Sequence, residues 1–295
     1  MVAVAAALLV IGMVAVFAVI RFGSATDGAV DSRATQTSDK RSPAEWPDHS
    51  NTGVKGCPPL ELASGPEIRI TDENAVFENM EIHDAVIRVL VPNATIRCVK
   101  IVGSGYFGID NTDAPPHVDG VLTIDRVEID CKGANVGMLV RQAIVTRANV
   151  SGCGDGFRIG GNNVTIEDSF CHSMFDGNKD VHSDCIQNTG GNASVVIRHN
   201  SLWGWDTSNI LLGLESGEAR DVVIDRNRLM SDPSRRPPPA FLIYVSGSGT
   251  VVTDNRFSRR FTYGPCTIIG NAAKLAWSGN VWDDDGSPVG MDQCK

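Results

Sequence analysis

None of the eight cysteines forms a CxxC pair, and no zinc-type ligand spacing appears anywhere in the chain. That argues against a structural zinc site of the finger or ribbon kind. There is no glycine-rich phosphate loop and no cofactor motif. No Lys/Arg stripe offsets the formal charge of −9, so phosphate repulsion speaks against a nucleic-acid partner. An acidic substrate would need a local basic groove or a bridging cation. Helical periodicity is missing too: apolar residues do not recur at i, i+3, i+4 and i+7 over useful lengths. The Leu/Asn consensus of leucine-rich repeats is absent. The Asn-Gly and Asp-Gly pairs do not separate matched alternating runs, which argues against a β-sandwich built from hairpins.

Charge is also missing from the first twenty residues, MVAVAAALLVIGMVAVFAVI. As a helix this run spans about 30 Å, the thickness of a bilayer core. It exceeds the usual signal-peptide apolar region, and no Lys or Arg precedes it. The reading is a membrane anchor over residues 1–21, inserted through residues 2–20, with a cleaved signal near Gly23-Ser24-Ala25 as the alternative. Arg21 alone would place the following chain in the cytoplasm. Eight cysteines behind an export-type segment point the other way, to disulfides outside the cell. The expected location is therefore the cell membrane with the domain extracytoplasmic, or secreted if the segment is cleaved. Residues 22–56 are rich in Ser, Thr, Pro and Gly and read as a disordered linker. Residues 57–295 remain as one domain.

Within that domain one pattern returns: apolar, two residues, a small, apolar or amide residue, one residue, apolar. It reads Phe77-x-x-Met80-x-Ile82, Ile96-x-x-Val99-x-Ile101, Ile124-x-x-Val127-x-Ile129 and Val145-x-x-Ala148-x-Val150. It continues as Ile166-x-x-Ser169-x-Cys171, Ile197-x-x-Asn200-x-Leu202, Ile224-x-x-Asn227-x-Leu229, Val252-x-x-Asn255-x-Phe257 and Trp277-x-x-Asn280-x-Trp282. The copies follow at intervals of about 19 to 31 residues, the range of solenoid repeats. A second short apolar strand precedes each copy, for example GFRI, CIQN, ILLG, FLIY and CTII. Short strands at such a period imply a β-coil solenoid whose equivalent residues stack about 4.8 Å apart. Asn200, Asn227, Asn255 and Asn280 then form a column of amides that bond one another at a turn, a structural feature.

The repeats NATIRCVKIVG, NVTIEDSFCHS, ASVVIRHNSLWG, RDVVIDRNRLMS and GTVVTDNRFSRR resemble the right-handed parallel β-helix proteins of the pectate-lyase-like superfamily. The resemblance covers roughly residues 57 to 290. It is closer to an exported bacterial group that carries a His-Ser/Ala-Asp-Gly-Ile-Gln motif, here HSDCIQ (His182 to Gln187), and a closing GNVWDDDG, here Gly279 to Gly286. Cys185 stands where that motif has glycine. The resemblance implies an all-β, single-stranded, right-handed parallel β-helix of about nine or ten coils, preceded by the N-terminal hydrophobic helix. It also implies a partner among polysaccharides or cell-surface glycans. The superfold hosts lyases, hydrolases, epimerases and non-catalytic adhesins, so activity has to be argued from the site.

The repeat register places GDGFRI (Gly154 to Ile159) one coil before HSDCIQN. Asp155 then stacks on Asp184, Gly156 on Cys185, Phe157 on Ile186 and Arg158 on Gln187, with Asn135 preceding and Asn209 following the acid column. Two carboxylates about 5 Å apart repel by about 3 kcal/mol at an effective dielectric of 20. They must share a proton, hold a cation such as Ca²⁺, or be neutralised by Arg158, Lys179 or His182. Asp155, Asp184, His182, Lys179 and Arg158 are the candidate catalytic residues, with Asp155 and Asp184 as candidate Ca²⁺ ligands. Gln187, Trp203, Trp205 and Tyr244 are candidate sugar contacts. The competing reading has each Asp capping a turn. Lys179 lies in FDGNKDVHSD, an insertion of the kind that walls a groove.

Other signals are fainter. The acceptor-rich run Asp110 to Asp113 could line the same groove. It resembles the Asn-Thr-Asp motif of polygalacturonases, but the Gly-His-Gly and Arg-Ile-Lys segments of that family are absent. Arg235-Arg236-Pro237-Pro238-Pro239 reads as a stiff, exposed basic loop. The sequence alone does not fix the disulfide pairing: Cys131 and Cys153 fall just after equivalent positions in adjacent coils, where a bridge can form, proximity suggests Cys266 with Cys294 at the C-terminal end and Cys57 with Cys98 at the N-terminal end, and Cys185 is a packing or disulfide residue. The expected function is lyase-like cleavage of an acidic polysaccharide. The alternatives are a non-catalytic glycan-binding or structural β-helix, and a glycoside hydrolase.

Overall fold

The computed structural model describes residues 45–295 apart from 64, 116–119, 134, 176–181, 214–216, 218 and 247–248. The apolar segment 1–21, residues 22–44 and Lys179 lie outside the described residues. Among those described, no helix is long and apolar enough to cross a membrane.

One turn of the coil shows the plan. Val164–Glu167, Phe170–His172 and Asp184–Asn188 are three short strands on three faces, here called faces 1, 2 and 3. Each pairs in parallel with its equivalent one turn earlier and one turn later. Face 1 stacks Ala143–Thr146, Val164–Glu167 and Ala193–Arg198. Face 2 stacks Asn149–Ser151, Phe170–His172 and Ser201–Gly204. Face 3 stacks Asp155–Ile159, Asp184–Asn188 and Ser208–Leu211. Among the described strands every ladder is parallel, and the chain is a three-faced parallel β-helix.

All nine copies of the repeat fall in register. Phe77 pairs with Ile96, Ile96 with Ile124, Ile124 with Val145, and so on to Val252 with Trp277 on face 1. On face 2 the partners run from Ile82 with Ile101 to Phe257 with Trp282. These residues are apolar because they point inward, and the stack is buried from Ile96 to Val252. Between the two faces the chain turns through one left-handed residue in every copy: Asn79, Cys98, Arg126, Arg147, Asp168, His199, Arg226, Asp254 and Gly279 all have φ between 50° and 67°. For a non-glycine residue that backbone costs roughly 1 kcal/mol.

The amide column supports that corner. Asn227 Oδ1 accepts from the backbone N–H and the side-chain amide of Asn200, both at 3.0 Å. Asn255 serves Asn227 in the same way, and Asn280 serves Asn255. Each amide also donates to a strand carbonyl, Ile197 O for Asn227 and Ile224 O for Asn255. The column continues with Ser169, whose N–H donates to Asn200 Oδ1 at 2.9 Å.

All eight cysteines are paired, as Cys57–Cys98, Cys131–Cys153, Cys171–Cys185 and Cys266–Cys294. The last pins the chain end beside the final face 3 strand, where Lys295 N donates to Cys266 O and Ile268 N donates to Lys295 O. The open edge of the sheet is thereby covered. The GNVWDDDG segment belongs to the same end: Asp283 accepts from Arg228 and Arg256, and Arg259 engages Asp284 and Asp285.

Residues 45–56, read from the sequence as the end of a linker, are packed along face 2. Trp46 stacks on His199 at 5.2 Å, and His49 meets His172 at 4.4 Å. Gly53 N donates to Arg147 O, and Arg126 donates to Lys55 O. Aromatic, histidine and backbone contacts of this kind have no sequence period, which is why the polar composition pointed to a linker.

Candidate functional site

Face 3 carries the site. Two rows of side chains run along its outer surface from coil to coil. The first row is Phe107, Val136, Asp155, Asp184, Ser208 and Phe241. The second is Asp110, Leu139, Arg158, Gln187, Leu211 and Tyr244. The register of Phe157 on Ile186 and Arg158 on Gln187 holds as read from the sequence. The flanks of the acid column do not. Val136 precedes Asp155 and Ser208 follows Asp184.

Asn135 instead donates to Ser104 O, and Asn209 turns inward to donate to Met230 O at 2.8 Å. A slip of one residue moves a side chain to the other face. The slip arises because Gly156 and Phe157 both turn inward at the start of the strand. A Cβ on Gly156 would lie 2.7 Å from Cys185 O and 3.1 Å from Cys171 Sγ, so only glycine fits there. With two consecutive inward positions, Asp155 and Arg158 come to share the outer side.

Asp155 is 3% exposed. Its Oδ2 accepts from Arg158 Nε at 3.0 Å and also from Nη2. Its Oδ1 accepts from the Asp184 N–H at 3.3 Å. Burial raises its pKa, while the Arg158 charge and hydrogen bond offset part of the rise. Asp184 has no exposed surface, and neither carboxyl oxygen has a hydrogen-bond partner among the described residues. The Ser208 N–H on the next coil pulls the Asp184 pKa down, against the effect of burial. Burial pushes the Asp184 carboxyl well above the usual carboxylate range, and the charges of Asp155 and Asp206 push it further. The pair is therefore asymmetric: Asp155 is held against the Arg158 guanidinium, and Asp184 is the member that burial and its neighbours drive toward the neutral form.

His182 is exposed at the mouth of the Asp184 strand, close enough for its charge to act on Asp155. Gln187 is half-buried next to Arg158. Tyr244 lies on the same outer row, two coils beyond Gln187. The tryptophans are elsewhere. Trp203 is on face 2, edge-on to Phe170 at 5.8 Å. Trp205 is buried at the next corner, its Nε1 without a partner among the described residues. Neither is presented beside the acid pair as a sugar contact.

Asp110 is occupied by Arg88 at 3.0 Å and by Thr112. Three aromatics were not singled out from the sequence. Tyr106, 65% exposed, lies against Arg158, and Phe241 and Tyr263 sit together at the far end of face 3 with ring centroids 5.8 Å apart. Their signal is positional only, at strand ends where the repeat has no fixed residue. The loop that bears His182 is closed at its base by Cys171–Cys185, which joins face 2 to face 3 across 14 residues.

The donor set does not suit Ca²⁺, which takes six to eight oxygens. Two carboxyl groups fall short of that number, one of them is engaged by a guanidinium, and no group of three or more acidic, His or Cys side chains able to hold a metal occurs among the described residues.

No protein-family profile and no curated protein matches the chain. Among solved structures it is similar to the crystal structure of Dettilon tailspike protein (gp208), at 14% identity and a TM-score of 0.29. The alignment covers 77% of this chain and 60% of that one. A likeness at this level carries no weight for function, and the fold assignment rests on the strand pairing itself.

Proposed function

We propose that the protein is an extracytoplasmic, membrane-anchored β-helix of the pectate-lyase-like kind that binds an acidic polysaccharide along face 3 and acts on it at Asp155. A right-handed coil is the hand that parallel crossover connections adopt almost without exception. Four disulfides support a location outside the cell. The observation that carries the reading is Asp184: a buried carboxyl group with no hydrogen-bond partner for either oxygen among the described residues, one coil on from a second carboxyl group. A turn cap would have its oxygens bonded to backbone N–H groups. Buried polar groups left unpaired are rare and point to function.

Lyase-like cleavage of a uronate polymer fits these parts. His182 or Lys179 takes the proton next to the uronate carboxyl. The bond to the leaving oxygen breaks as the ring double bond forms, and the protonated His182 or Lys179 gives that oxygen the proton it took, so that Asp155 and Asp184 end the step as they began it. Arg158 orients Asp155, and Asp184, closed off from solvent, acts only through it. A glycan-binding β-helix without catalysis is the second reading, favoured by the burial of the same pair.

The test incubates the full chain and its Asp155→Asn variant with acidic and neutral polysaccharides, with and without chelator. Unsaturated ends that vanish in the variant support elimination, and the chelator should change nothing. Reducing ends without unsaturation would show hydrolysis instead. No product from any polymer, with retention on a glycan gel, would leave the binding reading alone.

A further inference from the structure

The corner loops between faces 2 and 3 on two successive coils, residues 232–240 and 258–263, are joined into one shelf. Arg260 donates to Asp232 O and to Arg235 O. Thr262 N donates to Pro239 O at 2.8 Å, and Tyr263 N donates to Ala240 O at 3.0 Å. The shelf ends in Phe241, Tyr244 and Tyr263, with Tyr263 58% exposed. Lys295 Nζ stands 5.5 Å above the Tyr263 ring.

Its charges are arranged unevenly. Arg236 is exposed and has no carboxylate partner among the described residues. Asp232 is buried, with Oδ1 occupied by Ser234 at 2.9 and 2.6 Å. Asp292 is exposed on the 3₁₀ turn Met291–Gln293, its Oδ1 lying over Gly290. Arg259, by contrast, is matched by Asp284 and Asp285 and adds nothing free. Apart from Asp292, the unmatched charges left facing solvent here are the cations Arg236 and Lys295, beside the exposed Tyr263 ring, on a chain whose formal charge is −9.

We propose that this shelf is a binding site for an anionic glycan, with Tyr263 and Phe241 stacking against sugar rings and Arg236 and Lys295 meeting carboxylate or sulfate groups. Aromatic faces accept the apolar side of a ring, and guanidinium groups pair with planar anions. The shelf continues the first row of face 3, with Phe241 two coils beyond Asp184. It extends the polysaccharide reading above but uses none of the residues of the acid pair.

The test measures binding of the full chain to oligogalacturonate, a sulfated glycan, dextran and a DNA oligonucleotide, by calorimetry at two salt concentrations. Arg236→Gln should weaken the acidic glycans at least threefold and flatten their salt dependence, with an unchanged melting temperature. Tyr263→Ala should weaken them similarly, and Asp184→Asn should leave binding at the shelf intact. Unchanged affinity in both shelf variants would overturn the proposal. So would dextran binding equal to that of the acidic glycans, or DNA binding as tight as either, which would show a general anion site. Loss of product formation in Asp155→Asn alone bears only on the catalytic reading.

Discussion

An ionised Asp184 would be a second negative charge beside Asp155, fully buried and without a hydrogen-bond partner among the described residues. Protonation relieves this, and the sign of the consequence is fixed. A carboxyl whose folded-state pKa lies above its unfolded value of 3.8 keeps its proton while the unfolded chain releases it. Its contribution to stability is therefore full at low pH and declines as pH rises above that value. Asparagine carries no such cost, so Asp184→Asn should raise the melting temperature at pH 7 by roughly 2 to 4 °C, the response to about 1 kcal/mol in a domain of this size.

His172 shows the opposite sign. Burial, helped by His49, depresses it from 6.5 to about 4, against the pull of Asp232 and Asp130. The unfolded chain takes up a proton first, so stability should fall by on the order of 3 kcal/mol as pH drops from 6.5 to 4. Denaturant titrations of wild type and His172→Gln at both values check this, the variant showing the smaller loss. At this scale the sequence was legible where the repeat counts residues: Asp155 on Asp184 followed from Ile166 and Ile197. It was silent on Asn209 and Tyr106, because a double inward turn and an exposed strand-end aromatic leave no periodic mark.

At the scale of elements, the amide column and the left-handed corner form one device. Each Asn supplies the acceptor for two donors of the turn before it, so the corner backbone is bonded although half its residues disfavour the conformation. Asn227→Ala removes the partner of Asn200 N and Asn200 Nδ2, both buried. Two orphaned donors at about 1 to 3 kcal/mol each predict a loss of roughly 2 to 6 kcal/mol, well beyond a methyl-sized cavity. Chemical denaturation of the single variant measures it.

The column was visible in the sequence as four equivalent asparagines. The corner conformation was not, since Cys98, Arg126, Arg147, His199 and Arg226 are not residues that announce a positive φ. The segment at 45–56 was missed for a related reason: its contacts, Trp46 on His199 and His49 on His172, are tertiary.

Across the whole molecule, the three faces do different work. Face 1 closes the core. Face 2 is covered by residues 45–56, whose last contact is followed by Cys57–Cys98. Face 3 holds the buried acid pair, with Tyr106 exposed at one end and the Phe241, Tyr244 and Tyr263 group at the other. A coil spacing of about 4.8 Å puts three repeats, roughly 14 Å, between Asp155 and Phe241, room for a short run of sugars along the helix axis. Composition foresaw the acidic surface and the disulfides, and the repeat foresaw the β-helix. Neither could show which face stays open, because that depends on where non-repetitive segments lie.

The most direct test of the central claim, that Asp184 is a buried neutral acid kept for function and not a turn cap, is thermal unfolding of Asp184→Asn beside wild type from pH 4 to pH 8, on protein also assayed for polysaccharide cleavage. The account predicts a variant that melts higher at pH 7, loses most of that advantage at pH 4, and makes no product. A variant that melts several degrees lower at every pH, or that cleaves as well as wild type, would contradict it.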